Sequence, residues 1–172
     1  MKTFITLFCL IALTSCQSTN WSLKQIKTVE GFDAPEAMLY DAKSDTVFIS
    51  NIETSAEGWW ANDKKAFIST MTADGQVKKM RWLNSSKKHP LHALKGMTIL
   101  DGYLYFADIN ELKRCKISDP QKVETFKFPK AKYLNDIAND GQSILVSDTA
   151  TGNIIRFFPE TGKHTILQGP KA

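Results

Sequence analysis

The chain has little with which to cross-link itself. Cysteine occurs only at positions 9, 16 and 115 of 172, too few for the disulfide framework of a small secreted scaffold. Long apolar runs are missing too. The longest, Phe4 to Leu13, is ten residues broken only by Thr6, well short of the ~20 that a membrane-spanning helix needs. No stretch holds the 3.6-residue apolar rhythm of an amphipathic helix for a useful length, which argues against bundles and α/β layers. Nor is charge of one sign gathered anywhere. Lys and Arg number 22 against 18 Asp and Glu, net +4, and no lysine run exceeds two. A nucleic-acid stripe needs basic residues clustered among aromatics, so no nucleic acid is expected as a partner. The histidines, His89, His92 and His164, have no cysteine or third ligand beside them in sequence, which leaves His89-Pro90-Leu91-His92 as a loop rather than a zinc site. No serine sits in a strand-to-helix elbow, and serine hydrolysis is set aside.

What is present at the N-terminus is an address. Lys2 supplies a positive start, the ten-residue apolar run follows, and Leu13-Thr14-Ser15-Cys16 closes it. That tetrapeptide resembles a bacterial lipobox. The resemblance implies a signal peptide over 1–16 cleaved just before Cys16, with acyl chains on that cysteine, and several chains anchor far more firmly than one. A plain secretory signal cut near Ser15 is the other reading. Residues 17–20, Gln-Ser-Thr-Asn, form a polar tether. The expected product is exported and lipid-anchored in the bacterial cell envelope, with the membrane as a partner. Ser18 after Gln17 resembles the pattern for outer-membrane retention facing the periplasm, if the host is Gram-negative. Only Cys115 then remains, in an alternating segment whose apolar residues do not share one face, and a buried inert thiol is expected.

A repeat sets the architecture of residues 21–172. An apolar strand closing on a small polar pair occurs three times: Glu36-Ala37-Met38-Leu39-Tyr40 to Ser50-Asn51, Lys95-Gly96-Met97-Thr98-Ile99 to Ala107-Asp108, and Asn135-Asp136-Ile137-Ala138 to Ser147-Asp148. The second and third copies start 40 residues apart, the period of a four-stranded propeller blade. Each block offers four short β-branched or aromatic strands parted by turn residues, with Asp-Gly at 74–75, 101–102 and 140–141 suited to tight hairpins. The predicted fold is therefore all-β, an incomplete six-bladed β-propeller of about three blades over 34–84, 91–128 and 133–168. Trp21 to Val29 reads as one further strand, and Ser118-Asp119-Pro120 as a turn. Closed propellers carry ~4 to 8 blades. A fragment, a truncated gene, or self-association of two copies into one ring would each account for three.

The stretch Ala34 to Asp41, with Leu94-Lys95-Gly96-Met97 and Leu134-Asn135-Asp136-Ile137-Ala138, resembles the SMP-30/gluconolactonase family of six-bladed propellers. The likeness covers about residues 30–168, roughly half of a family member, and NHL-repeat and strictosidine-synthase-like propellers share much of the strand pattern. It implies one divalent cation in the central channel, calcium before zinc, polarising a lactone or ester carbonyl or a water. Glu36, Lys95 and Asn135, as the first residues of the repeat copies, would start the innermost strands and face the channel, with Asp136 beside them; Glu36 and Asn135 match positions of metal ligands in the family. Lys95 does not match: an ammonium cannot ligate a cation and would repel it. Pairing with Glu36 or capture of an anion are its other readings. Without the family, Glu36 is a solvated carboxylate at a strand start, and Asn135-Asp136 is a turn or cap. The insertion Glu53 to Asp63 carries Trp59 and Trp60, which either cap the first blade or form a ligand platform. Two functions follow as expectations: a metal-dependent lactone or ester hydrolase once completed, or a non-catalytic propeller, or remnant, that binds a ligand or protein.

Overall fold

The computed structural model describes residues 22–53 and 58–168. The signal segment, Cys16, the 17–20 tether, Trp21 and residues 54–57 of the insertion lie outside the described residues. Twelve strands form three four-stranded antiparallel sheets, and no helix occurs among the described residues. The first sheet is β1 (Pro35–Asp41), β2 (Thr46–Asn51), β3 (Phe67–Met71) and β4 (Val77–Asn84). The second is β5 (Leu94–Leu100), β6 (Tyr103–Asp108), β7 (Glu111–Lys116) and β8 (Asp119–Lys127). The third is β9 (Leu134–Asn139), β10 (Ile144–Asp148), β11 (Asn153–Phe158) and β12 (Lys163–Gln168). Each sheet is a meander in chain order, and β5 lies between β1 and β9. These are three propeller blades with β1, β5 and β9 innermost.

The repeat holds in register. The first residue of each inner strand pairs with the closing polar residue of the next strand: Pro35 with Asn51, Leu94 with Asp108, Leu134 with Asp148. Immediately afterwards the ladder slips in all three blades, a β-bulge that re-aims the next side chain. Glu36, Lys95 and Asn135 occupy that bulge. The closing residue has its own task, which is to satisfy buried backbone donors. Asp108 accepts hydrogen bonds from the amides of His92 (3.1 Å) and Ala93 (2.9 Å), Asp148 from those of Lys132 (3.0 Å) and Tyr133 (3.1 Å), and Asn51 from that of Asp33 (3.0 Å). Each clamps the connection that leads into an inner strand.

Two apolar clusters lie between the blades. Phe48, Ile68 and Leu83 of the first blade meet Leu94, Met97, Leu104 and Phe106 of the second. Tyr105, Ala107 and Leu112 of the second meet Leu134, Ile144, Val146, Ile155 and Phe157 of the third. Strand β6 feeds both, because successive side chains alternate between faces and here both faces are covered. The same geometry resolves Cys115: Leu112 enters one cluster, Cys115 the other, and the thiol is fully buried. Burial pushes it up to about 12. Blades two and three touch through backbone at Gly96, where a Cβ would lie 2.8 Å from the Asn135 carbonyl oxygen and 2.8 Å from the Ile137 nitrogen.

Two expectations are corrected. Residues 22–29 form no strand: the segment meets the 74–75 turn through side chains, the Lys27 ammonium donating to the Asp74 and Gly75 carbonyls at 3.2 Å and Val29 packing beside Gly75, and no backbone ladder builds. Asp119 and Pro120 belong to β8 rather than to a turn, since a bulge at Lys116 brings Asp119 into register. Proline is tolerated there because β8 is the outermost strand, where a missing N–H breaks no ladder.

Candidate functional site at the loop rim

In a meander every second connection emerges at the same end. Here that end gathers connections 52–66, 85–93, 109–110, 128–133 and 149–152 with the starts of the inner strands. Backbone bonds tie these segments together: Ala66 N–H to the Leu91 carbonyl (3.2 Å), Leu134 N–H to that of Ile109 (2.6 Å), Thr149 N–H to that of Tyr133 (2.9 Å). The opposite end carries the Asp-Gly hairpins. At Asp101-Gly102 both residues take positive φ, 51° and 76°, as a two-residue hairpin with strand-matched twist requires.

On the rim, the bulge brings two of the expected channel residues together. Lys95 Nζ lies 3.0 Å from Glu36 Oε1. The Lys95 side chain is 3% exposed and that of Glu36 27%, so the ammonium is withdrawn from water while the carboxylate keeps partial contact with it. The ammonium also lies 4.5 Å from the Trp60 ring centre and 5.8 Å from that of Trp59, within cation–π range. Trp60 in turn meets Tyr133 at 4.7 Å, their planes 37° apart. Insertion, inner strands and the 128–133 connection thus converge: Trp60 covers Lys95, while Trp59 stays exposed. Asn135 is engaged elsewhere, its amide donating to the Thr149 hydroxyl at 3.2 Å. Asp136 is exposed, and its backbone N–H donates to Ser147 Oγ at 3.0 Å.

A hard divalent cation takes six or more oxygen ligands with net negative charge. Glu36 already neutralises Lys95, the Asn135 side chain is turned to Thr149, and the buried ammonium would repel a cation. Among the described residues no group of three His, Cys, Asp or Glu is placed to hold a metal ion. The donor set does not fit the cation that the family resemblance implies.

Two participants have no obvious sign in the sequence. Tyr133 looks like any aromatic before a strand, although its place two residues ahead of Asn135 puts it on the rim. Lys113 is buried with its ammonium 2.5 Å from Asp108, 3.2 Å from Glu111 and 2.6 Å from the Pro90 carbonyl. It is one more lysine in an alternating strand until the register is known. Burial opposes ionisation of Asp148, but the Tyr133 and Lys132 amides outweigh it and hold its carboxyl below the usual range. His92 is held below its ordinary value, mainly by burial, with Asp108 pulling the other way.

No known protein family matches this chain, and neither does any curated protein. Solved structures do match. A nidogen/laminin complex contains a chain 15% identical, covering 80% of this chain and 48% of its own, at a TM-score of 0.63. Virginiamycin B lyase from Staphylococcus aureus is 17% identical over 80% of this chain and 42% of its own, TM-score 0.54. The N-terminal domain of Nup159 is 11% identical over 80% and 35%, TM-score 0.52. At these identities the likeness shows the β-propeller fold alone. This chain spans less than half the length of each.

Proposed function

We propose that this chain is a ligand-binding propeller rather than a metal-dependent hydrolase, and that it takes a carbohydrate on the rim surface made by Trp59, Trp60 and Tyr133. The observation that carries this reading is the Lys95–Glu36 pair beneath Trp60: the position that would ligate a cation holds an ammonium, already neutralised. An exposed indole offers a flat face to the C–H groups of a sugar ring. Asp136, Asn135 and the exposed part of Glu36 supply hydrogen-bond partners for hydroxyls. In this reading the chain is a relative of SMP-30/gluconolactonase propellers that has exchanged its metal site for an ion pair. Acylated Cys16 would hold it in the cell envelope, where glycans are abundant.

Tryptophan fluorescence titrated with chito-, cello- and malto-oligosaccharides tests it. Saturable quenching by at least one series is expected, weakened about tenfold, or 1.4 kcal/mol, in Trp59→Ala. The reading is overturned if no series quenches while calcium raises the melting temperature and Glu36→Gln abolishes that rise, since a bound metal stabilises by mass action.

A further inference from the structure

On the same rim, but at the junction of the first two blades, a cavity of about 360 Å³ is lined by Lys64, Ser85, Ser86, Lys87 and Pro90. Its lining is chemically one-sided. Among the described residues neither Lys64 nor Lys87 pairs with a carboxylate. Ser85 Oγ accepts from the Leu91 amide and Ser86 Oγ from the His89 amide, each at 3.0 Å, so both hydroxyl protons remain to be donated. The Pro90 carbonyl accepts from the buried Lys113 ammonium. The lining therefore offers two lysines and two hydroxyl donors and no carboxylate, and the Pro90 carbonyl is already in use.

The walls are fixed before any ligand arrives. Connection 85–93 is closed on itself by Ser86 N–H to the His89 carbonyl (3.1 Å) and tied to the neighbouring loop by Ala66 N–H to the Leu91 carbonyl (3.2 Å). Asp108 clamps its far end at His92 and Ala93. Lys64 stands at φ 64°, a conformation that a lysine seldom adopts and that surrounding structure must enforce. Beside the cavity, His89 Nε2 and His92 Nδ1 are buried without a hydrogen-bond partner among the described residues. Burial, with lesser help from the Lys88 and Lys113 charges, holds His89 below its ordinary value.

We propose that this cavity is an anion site that takes a phosphate group, held by the Lys64 and Lys87 ammonium groups and by hydroxyl donation from Ser85 and Ser86. Charge-assisted donors converging on one point suit the oxygens of a phosphate. The site is separate from the aromatic surface, and the two stand or fall independently. A soluble phosphate ester and a phospholipid headgroup share this chemistry.

The test is a titration of the folded protein with inorganic phosphate at constant ionic strength, read by amide chemical shifts, beside flotation with vesicles containing phosphatidic acid. Saturable shifts of the 85–92 amides are expected, with the affinity falling at least tenfold in the Lys64→Gln/Lys87→Gln variant and unchanged in Lys130→Gln/Lys132→Gln. Both lysine pairs are exposed, and unaltered melting curves check that the variants fold. Lysine-dependent binding of phosphate supports a soluble ester; lysine-dependent binding of vesicles alone supports a headgroup. No saturable binding of either, or binding indifferent to the Lys64/Lys87 change, overturns the proposal.

Discussion

Lys95 sets its ammonium 3.0 Å from the carboxylate of Glu36, and so joins the inner strands of two adjacent blades by a single part-buried charge pair. Glu36→Gln leaves that ammonium without its counter-charge. Stability is expected to fall by about 2 kcal/mol, below the ~3–5 of a fully buried pair because Glu36 keeps some contact with water. Lys95→Met should cost less than about 1 kcal/mol, since the carboxylate left behind can hydrate. Urea denaturation of both variants measures the difference, and equal costs would mean that the pair does not form in solution.

Asp148 holds the entry to β9 through the Lys132 and Tyr133 amides and also accepts from that of Ala150, so Asp148→Ala strands all three and should destabilise by about 2–4 kcal/mol. Its folded-state carboxyl is held below its unfolded value of ~3.9. The stabilisation it gives is thus complete above that value and is lost as pH falls through the lower, folded one. Acid titration of the melting temperature should show a shallower acid limb for Asp148→Asn than for the parent chain.

Gly96 and Gly102 separate two reasons for glycine. At Gly96 an added methyl meets the backbone of the next blade at 2.8 Å, which neither strand can relieve without parting the blades. At Gly102 there is open space and only a positive φ of 76° to oppose it. Gly96→Ala is expected to cost about 3 kcal/mol or more, at or above the upper end of overpacking, and Gly102→Ala about 1–2. Thermal melts of the two variants rank them, and the reverse order would contradict the contact between β5 and β9.

Cys115 should be silent in the native protein. It is fully buried and its thiol is pushed up to about 12, so almost no thiolate exists at pH 8, and none is within reach of a reagent. Labelling with a chromogenic disulfide is expected only on the timescale of opening, and in full once urea has unfolded the chain. Prompt labelling in buffer would show that the first core cluster opens readily.

The strands are legible in the sequence because the features that make them are local: β-branched and aromatic runs such as Thr46-Val47-Phe48-Ile49, and turn pairs such as Asp101-Gly102. Blade boundaries follow from the recurrence of the inner-strand motif. Segment 22–29 misleads because its alternation of Leu23, Gln25 and Ile26 states a propensity, whereas a strand also needs a free edge beside it, and only a turn is there. The Lys95–Glu36 pairing is legible as one of the alternatives for an ammonium at a repeat position. Its Trp60 and Tyr133 neighbours are not, because the two come from loops 73 residues apart in sequence, and nothing local tells one loop where the other ends. Lys113 shows the same limit from inside the core, where a charged residue in an alternating strand reads as solvent-facing until both faces prove to be covered.

The insertion at Glu53 to Asp63 leaves the pairing of β2 with β3 undisturbed, from Val47 opposite Met71 to Asn51 opposite Phe67. Length added on that side of the molecule is absorbed before it reaches a ladder, while the tight hairpins at the other end tolerate none. The protein therefore has one editable edge and one that is held constant. A loop exchanged at 52–66 or 128–133 should give a different rim on the same three sheets, so the chain can be altered from one side without disturbing its ladders.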